Sequence, residues 1–113
     1  MLFRSQSEDD IVICYSKRTA LTKSKKGALK DTSCEMMLYH ILNDLKQTID
    51  PKLVDDIIVG NVLQVGSGIA QIRMAALMAG FPYTTSAVSI NRLCSSGIEA
   101  IATAADKIRA GSI

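Results

Sequence analysis

The sequence predicts an α/β fold in the order β-α-β-α-β-α, a mostly parallel sheet covered by helices. Three observations carry the prediction. Short apolar, β-branched runs alternate with longer segments of helical spacing, and glycine or proline stops stand between them. Aromatic residues make up only 4% of the chain. The core is therefore Ile, Val, Leu, Ala and Met, which suits strands buried between helices better than a β-sandwich. Strands separated by helices join through right-handed crossovers and run parallel.

The elements follow in order. Residues 1–10 read as a lead-in, and Ile11-Val12-Ile13-Cys14-Tyr15 as a buried strand. From Lys17 to Lys30 the chain is basic, with no acid and with Gly27 as a break, which reads as a loop. Thr32 and Glu35 make a capping-box pattern. Met37, Leu38, Ile41, Leu42 and Leu45 then share one helical face, and Asp50-Pro51 ends that region. A second strand, Ile57-Ile58-Val59, runs through Gly60-Asn61 into Val62-Leu63. Gln64 to Gly68 opens a second helix, Ile69 to Ala79, with Ile69, Ile72, Ala76 and Ala79 on one face; Gly80 and Pro82 stop it. Ala87 to Ile90 is the third strand. The third helix, Ile98 to Arg109, is expected to bury Ile98, Ile101, Ala102, Ala105 and Ile108, and Gly111 ends it.

At 113 residues, 48% hydrophobic and 21% charged, the chain suits one small globular domain and not a disordered segment. Its net charge of +2 gives no argument for nucleic acid. Three cysteines (Cys14, Cys34, Cys94) without a C-x-x-C spacing, and the single histidine His40, indicate neither a disulfide framework nor a metal site. A reducing compartment fits them best. No apolar run approaches the ~18 residues of a membrane span. Met1 to Arg4 meets Glu8, Asp9 and Asp10 too soon for a secretory signal.

The candidate chemistry lies in Asn91-Arg92-Leu93-Cys94-Ser95-Ser96-Gly97, between the third strand and the third helix. A thiol there meets free backbone N–H groups and the positive helix end, and both favour the thiolate that attacks carbonyl carbon. In open α/β sheets, sites lie beyond the carboxyl ends of the strands, where Cys94 falls. Against this stands the reading of Cys94 as a small packing residue. Ser95 or Ser96 reads as a helix cap. Gly66-Ser67-Gly68 lacks the third glycine of a dinucleotide fingerprint and the Lys-Ser/Thr of a P-loop, and reads as a plain turn. The Lys17–Lys30 stretch is a solvated loop or an anion-facing one. His40 reads as a half-exposed helix residue, and Cys14 and Cys34 as structural.

Asn91-Arg92-x-Cys94-Ser95-Ser96-Gly97 and the alanine-rich helix after it resemble the active-site signature of the thiolases. Other segments agree in order. Glu8-Asp9-x-Ile11-Val12-Ile13 with Arg18-Thr19-Ala20 resembles the family's opening strand and loop. Gly27-Ala28-Leu29-Lys30-Asp31-Thr32 resembles its G-x-x-K-D segment, and Gly60-Asn61-Val62-Leu63-Gln64-x-Gly66-x-Gly68 its second-strand motif. The Lys-Asp and Gly-Asn-Val-Leu-Gln details are most similar to the peroxisomal 3-ketoacyl-CoA thiolases. Leu93 stands where those relatives usually carry glutamine.

The resemblance implies a partial N-terminal thiolase domain over residues 11–113. It also implies cleavage of a 3-ketoacyl-CoA by CoA to acetyl-CoA and a shortened acyl-CoA in fatty-acid β-oxidation. Cys94 would carry the acyl thioester, and its backbone N–H would help hold the oxyanion. Beyond CoA and acyl-CoA as substrates no cofactor is implied. The full-length form would be a homodimer, in the peroxisome or alternatively the cytoplasm or mitochondrion. The family's activating histidine and second cysteine come from its later half, and His40 does not match that histidine. The chain is thus expected to be the amino-terminal part of a thiolase, without turnover of its own and poorly soluble through its exposed first strand. A non-catalytic subunit docking on a full-length thiolase, or a degenerate fragment, is the alternative. A carrier-protein condensing enzyme shares the fold but fits the cysteine motif less well.

Overall fold

A computed structural model describes residues 10–113. Apart from Asp10, the lead-in and the Glu8-Asp9 pair lie outside the described residues. The elements are α1 (Cys34–Leu45), β1 (Asp56–Gly60), α2 (Ile69–Met78), β2 (Ser86–Ile90) and α3 (Ser96–Arg109). A single 3-10 turn at Pro51–Leu53 precedes β1, and a turn with left-handed residues at Val65–Gly68 leads into α2.

β1 and β2 pair in parallel, from Asp56 opposite Ser86 to Gly60 opposite Ile90. The Asn61 N–H extends the pairing by donating to the Ile90 carbonyl at 2.9 Å. Side chains alternate across a strand. Ile57 and Val59 join α1 and α2, whereas Asp56, Ile58 and Gly60 line a groove with α3 residues. Two helices therefore cover one face and α3 the other. The core lies on the two-helix side: Leu42 of α1, Ile57 of β1, and Ile72, Ala75, Ala76 and Ala79 of α2 and its end, closed by Phe81.

Helix α2 stops as Gly80 predicts. Gly80 has φ +89°, its N–H donates to Leu77, and the Phe81 N–H reaches back to Ala76. This paired arrangement satisfies the last carbonyls and turns Phe81 into the core. Arg73 then latches the following loop, donating to the carbonyls of Tyr83 and Thr85.

Four expectations are corrected. Residues 11–15 form no strand. A strand exists only through a neighbour's ladder, and among the described residues this segment has none. Val12 and Ile13 are 65% and 72% exposed, Cys14 is exposed, and Tyr15 instead donates its hydroxyl to Asp44 at the end of α1. That bond holds the Tyr15 phenol up at about 12, from an ordinary 10.0. The α/β class and the parallel pairing stand on the other two strands. β1 also ends at Gly60, and Val62 and Leu63 are exposed loop residues. The Thr32–Glu35 box does not form. Ser33 is the N-cap of α1, with no side-chain cap bond.

The fourth correction concerns α3. Ile98, Ile101 and Ile108 are 65%, 52% and 48% exposed and Ala102 is exposed, whereas Ala100 is buried; Ile101 flanks the groove that α3 makes with Asp56, Ile58 and Gly60. Small residues face the sheet because helix and strand approach closely. A Cβ on Gly60 would stand 2.6 Å from the Ser96 carbonyl carbon. The isoleucine spacing marks a largely exposed apolar face, which meets β1 only at its edge, through Ile101.

The far end of α3 is tied down by charge. The Asp56 side chain is 3% exposed and accepts from Lys107 of α3 and Ser86 of β2. Burial pushes its carboxyl pKa up, but Lys107, Ser86 and the Ile57 N–H outweigh burial and hold it below 3.8. A depressed folded value gives stabilisation that is complete above the unfolded value and is lost as pH falls through the folded one. Thermal melts should therefore show a steeper loss of stability below about pH 4 in the parent than in Asp56→Asn. Lys107→Met, which leaves Asp56 without its cation, should cost about 1–3 kcal/mol at neutral pH. Equal acid limbs in parent and Asp56→Asn would remove Asp56 from the account.

Candidate active site

The turn from β2 into α3 is built by short polar side chains. Asn91 Oδ1 accepts from the Leu93 N–H at 3.0 Å, an Asx turn. Ser96 Oγ accepts from the Arg92 N–H at 2.8 Å and donates to the Leu93 carbonyl at 2.6 Å. Ser95 Oγ donates to the Arg92 carbonyl at 2.8 Å. Arg92 in turn meets Glu99 of α3 at 2.9 Å. Leu93 is left-handed, with φ +49°.

Cys94 is exposed, two residues ahead of the first residue of α3. It is not a buried packing residue. Ser95 holds the N-cap position, as the sequence suggests, but its hydroxyl makes no capping bond and points back to the Arg92 carbonyl; Ser96 is already helical. The first-turn N–H groups of α3 therefore have no side-chain acceptor at the N-cap, and a helix start of this kind suits an anion or a developing oxyanion.

The loop after β1 is drawn to the same carboxyl edge of the sheet. Asn91 Nδ2 donates to the Val62 carbonyl at 3.4 Å, and Ser89 Oγ donates to the Ser67 carbonyl. Within that loop Asn61 Nδ2 donates to Gln64 Oε1 at 2.8 Å. Gly66, Ser67 and Gly68 all have positive φ. Gly68, at φ +65°, suits glycine by its conformation, and a Cβ there would displace the Asn61–Gln64 side-chain pair. The segment is a tight turn into α2.

The remaining candidates are not gathered here. His40 is exposed on α1 with its ring 5.3 Å from that of Tyr39. Lys17 pairs with Asp44 and Lys30 with Asp31. Cys34, first residue of α1 and also exposed, borders a cavity of about 210 Å³ with Glu35, Asn61, Gln64 and Gln71. Cys94 does not line that cavity, and its volume is below that of most small-molecule pockets, about 300–1,000 Å³. The roles of Asn91 and Ser96 in shaping the turn escape a motif search. Asparagine two residues ahead of the turn position was the available signal.

Comparison with known proteins gives the family. The family model of the thiolase N-terminal domain matches residues 11–113. The peroxisomal 3-ketoacyl-CoA thiolase of Yarrowia lipolytica is 48% identical over 111 residues, covering 96% of this chain and 27% of the relative. The dimeric peroxisomal thiolase of Saccharomyces cerevisiae superposes with a TM-score of 0.89 at 38% identity, over 96% of this chain and 29% of that one. A second structure of the peroxisomal 3-ketoacyl-CoA thiolase from that yeast gives 0.88 at 38% identity, over 96% and 34%. It is a five-layered α-β-α-β-α structure built from two core domains of identical topology. The chain spans about a quarter of the length of the curated relatives it matches. With a family model that matches residues 11–113, this chain belongs to the thiolase family, within its N-terminal domain.

Proposed function

We propose that this chain is the nucleophile-bearing part of a 3-ketoacyl-CoA thiolase, with Cys94 as the residue that carries the acyl group. The observation that supports this best is the exposed Cys94 at the carboxyl edge of two parallel strands, just ahead of a helix whose N-cap makes no side-chain bond. The sulfur adds to the C3 carbonyl of the substrate. Collapse of the adduct breaks the C2–C3 bond, leaving the acyl group on sulfur and a carbanion that takes a proton to become acetyl-CoA. A CoA thiol then loses its proton and attacks the thioester, releasing the shortened acyl-CoA and restoring Cys94. Exchange between sulfurs is nearly balanced in energy, so the covalent intermediate splits one difficult step into two easier ones. The backbone N–H of Cys94 would help hold the oxyanion.

Protons need other groups. The only histidine, His40, stands on α1 outside the turn. We therefore expect the chain to accept an acyl group without sustained turnover. Incubated with acetyl-CoA and mapped by mass spectrometry, it should acquire acetyl on Cys94 ahead of Cys14 and Cys34. Given acetoacetyl-CoA and CoA, it should show no cleavage above a Cys94→Ala control. Acylation that favours Cys34 would refute the assignment, and turnover above the control would refute the inactivity.

A second reading, a non-catalytic subunit that docks on a full-length thiolase, is favoured by the outward isoleucines of α3. In the five-layered relative two core domains are joined, and an apolar helix face is the kind of surface such joining buries. Co-elution with a full-length peroxisomal 3-ketoacyl-CoA thiolase, lost in Ile98→Glu/Ile101→Glu, is the result expected of it. Separate elution of the two proteins counts against it. The names of the relatives support a peroxisomal setting and a dimeric assembly in either reading.

A further inference from the structure

We propose that Ser96 is the positioning residue of the nucleophile turn: its buried hydroxyl holds Leu93 in a left-handed conformation and thereby sets Cys94 at the open end of α3. This rests on the reading of Cys94 as the nucleophile.

Leu93 carries the burden of the turn. Its φ of +49° is a conformation that L-residues with a branched side chain avoid, because Cβ crowds the following carbonyl oxygen. Packing does not hold it there, since Leu93 is 70% exposed. Its peptide groups do. The Leu93 N–H is taken by Asn91 Oδ1, and its carbonyl accepts both the Ser96 N–H at 3.1 Å and Ser96 Oγ at 2.6 Å. The same Ser96 oxygen accepts the Arg92 N–H at 2.8 Å. One hydroxyl thus joins the peptide N–H of Arg92 to the carbonyl of Leu93, the last peptide group before Cys94.

The hydroxyl is itself fixed. Ser96 is 4% exposed, and its backbone lies so close to Gly60 of β1 that no Cβ fits between them. The brace therefore runs from the sheet through Ser96 to Leu93 and ends at the sulfur-bearing residue. Ser95 has the same side chain but serves differently. Its hydroxyl only donates, to the Arg92 carbonyl, and the residue is exposed. Small size alone explains neither the burial of Ser96 nor its double bonding.

The test uses the full 113-residue chain and iodoacetamide, with rates at Cys14, Cys34 and Cys94 resolved by peptide mass mapping between about pH 6 and 10. Ser96→Ala should slow alkylation of Cys94 about tenfold, leaving Cys14 and Cys34 within about twofold. Glycine adopts the left-handed conformation at no steric cost. In a Leu93→Gly background the same serine substitution should therefore cost less than about threefold. Equal losses in both backgrounds, or no loss in either, overturn the assignment. If Cys94 of the parent reacts no faster than Cys34, the nucleophile reading falls first and this one with it. Should Ser96→Ala not fold, Leu93→Gly/Ser96→Ala decides. Return of a cooperative melt supports the brace, and a failure to return overturns it.

Discussion

Cys94→Ala should abolish acyl transfer to this chain, and Cys94→Ser should lower it by about 10³-fold or more, the scale on which losing a covalent nucleophile is felt. The two substitutions separate different contributions. Alanine removes the attacking atom but leaves the turn, since none of the bonds that hold it uses the Cys94 side chain. Serine restores an attacking atom at the same place, yet a hydroxyl ionises far less readily than a thiol and would pass from thioester to a more stable oxygen ester. The acyl group would then be harder to hand on to CoA. The measurement is the yield and rate of acetyl incorporation from acetyl-CoA by intact mass. Cys34→Ala is the comparison and should leave incorporation within about twofold. Undiminished labelling of Cys94→Ala would move the acyl site elsewhere.

Gly60→Ala should damage the fold severely, by about 3 kcal/mol or more. The reason is geometric. A Cβ there meets the Ser96 carbonyl carbon, the Ser96 oxygen and the Gly97 nitrogen at 2.6, 2.7 and 2.8 Å. These are backbone atoms, so no side-chain rotation relieves the contact. β1 and α3 must separate, which opens the buried Ala100 face and loosens Asp56 from Lys107 at the other end. In a domain of this size about 1 kcal/mol corresponds to a shift of ~4–8 °C, so a fall in melting temperature of at least about 12 °C is expected. Because Ser96 moves with the helix, alkylation of Cys94 should slow in the same variant. A melt within a few degrees of the parent would mean that strand and helix are not in such close contact.

Gly60 and Ser96 also illustrate what a reader of the sequence can and cannot see. Gly60 follows a β-branched run and reads as a strand end; that it is the seat of a helix start over thirty residues later depends on the crossover. Ser96 reads as a possible cap, since serine ahead of a helix usually is one. Its actual partners, Arg92 and Leu93, lie behind it, because the turn bends the chain back on itself. The Ile57–Val59 and Ala87–Ile90 runs were legible as strands, both being flanked by turns and paired with each other. Ile11–Tyr15 has the same composition and is not a strand, because composition records what a segment can do and not whether a partner lies beside it.

The isoleucines of α3 carry the same lesson at the level of packing. Their spacing identifies an apolar face, but a helix rich in alanine has a second, smaller-residue face as well. The sheet takes the side that carries Ser96 and Ala100, where the helix backbone lies directly against Gly60. Hydrophobicity alone would have ranked the faces the other way.

Local order, by itself, determined the α/β class, the order of helices and parallel strands, the glycine stops, and the position of Cys94 between a strand and a helix. Those features depend on backbone preference and short-range spacing, which the residues carry with them. Tertiary structure alone decided which face of α3 meets the sheet, that residues 11–15 stay unpaired among the described residues, and that Ser96 and Asn91 hold the nucleophile turn. Each of these depends on atoms brought together from separate elements, and close backbone contact and hydrogen bonding across a fold leave no periodic trace in a linear chain.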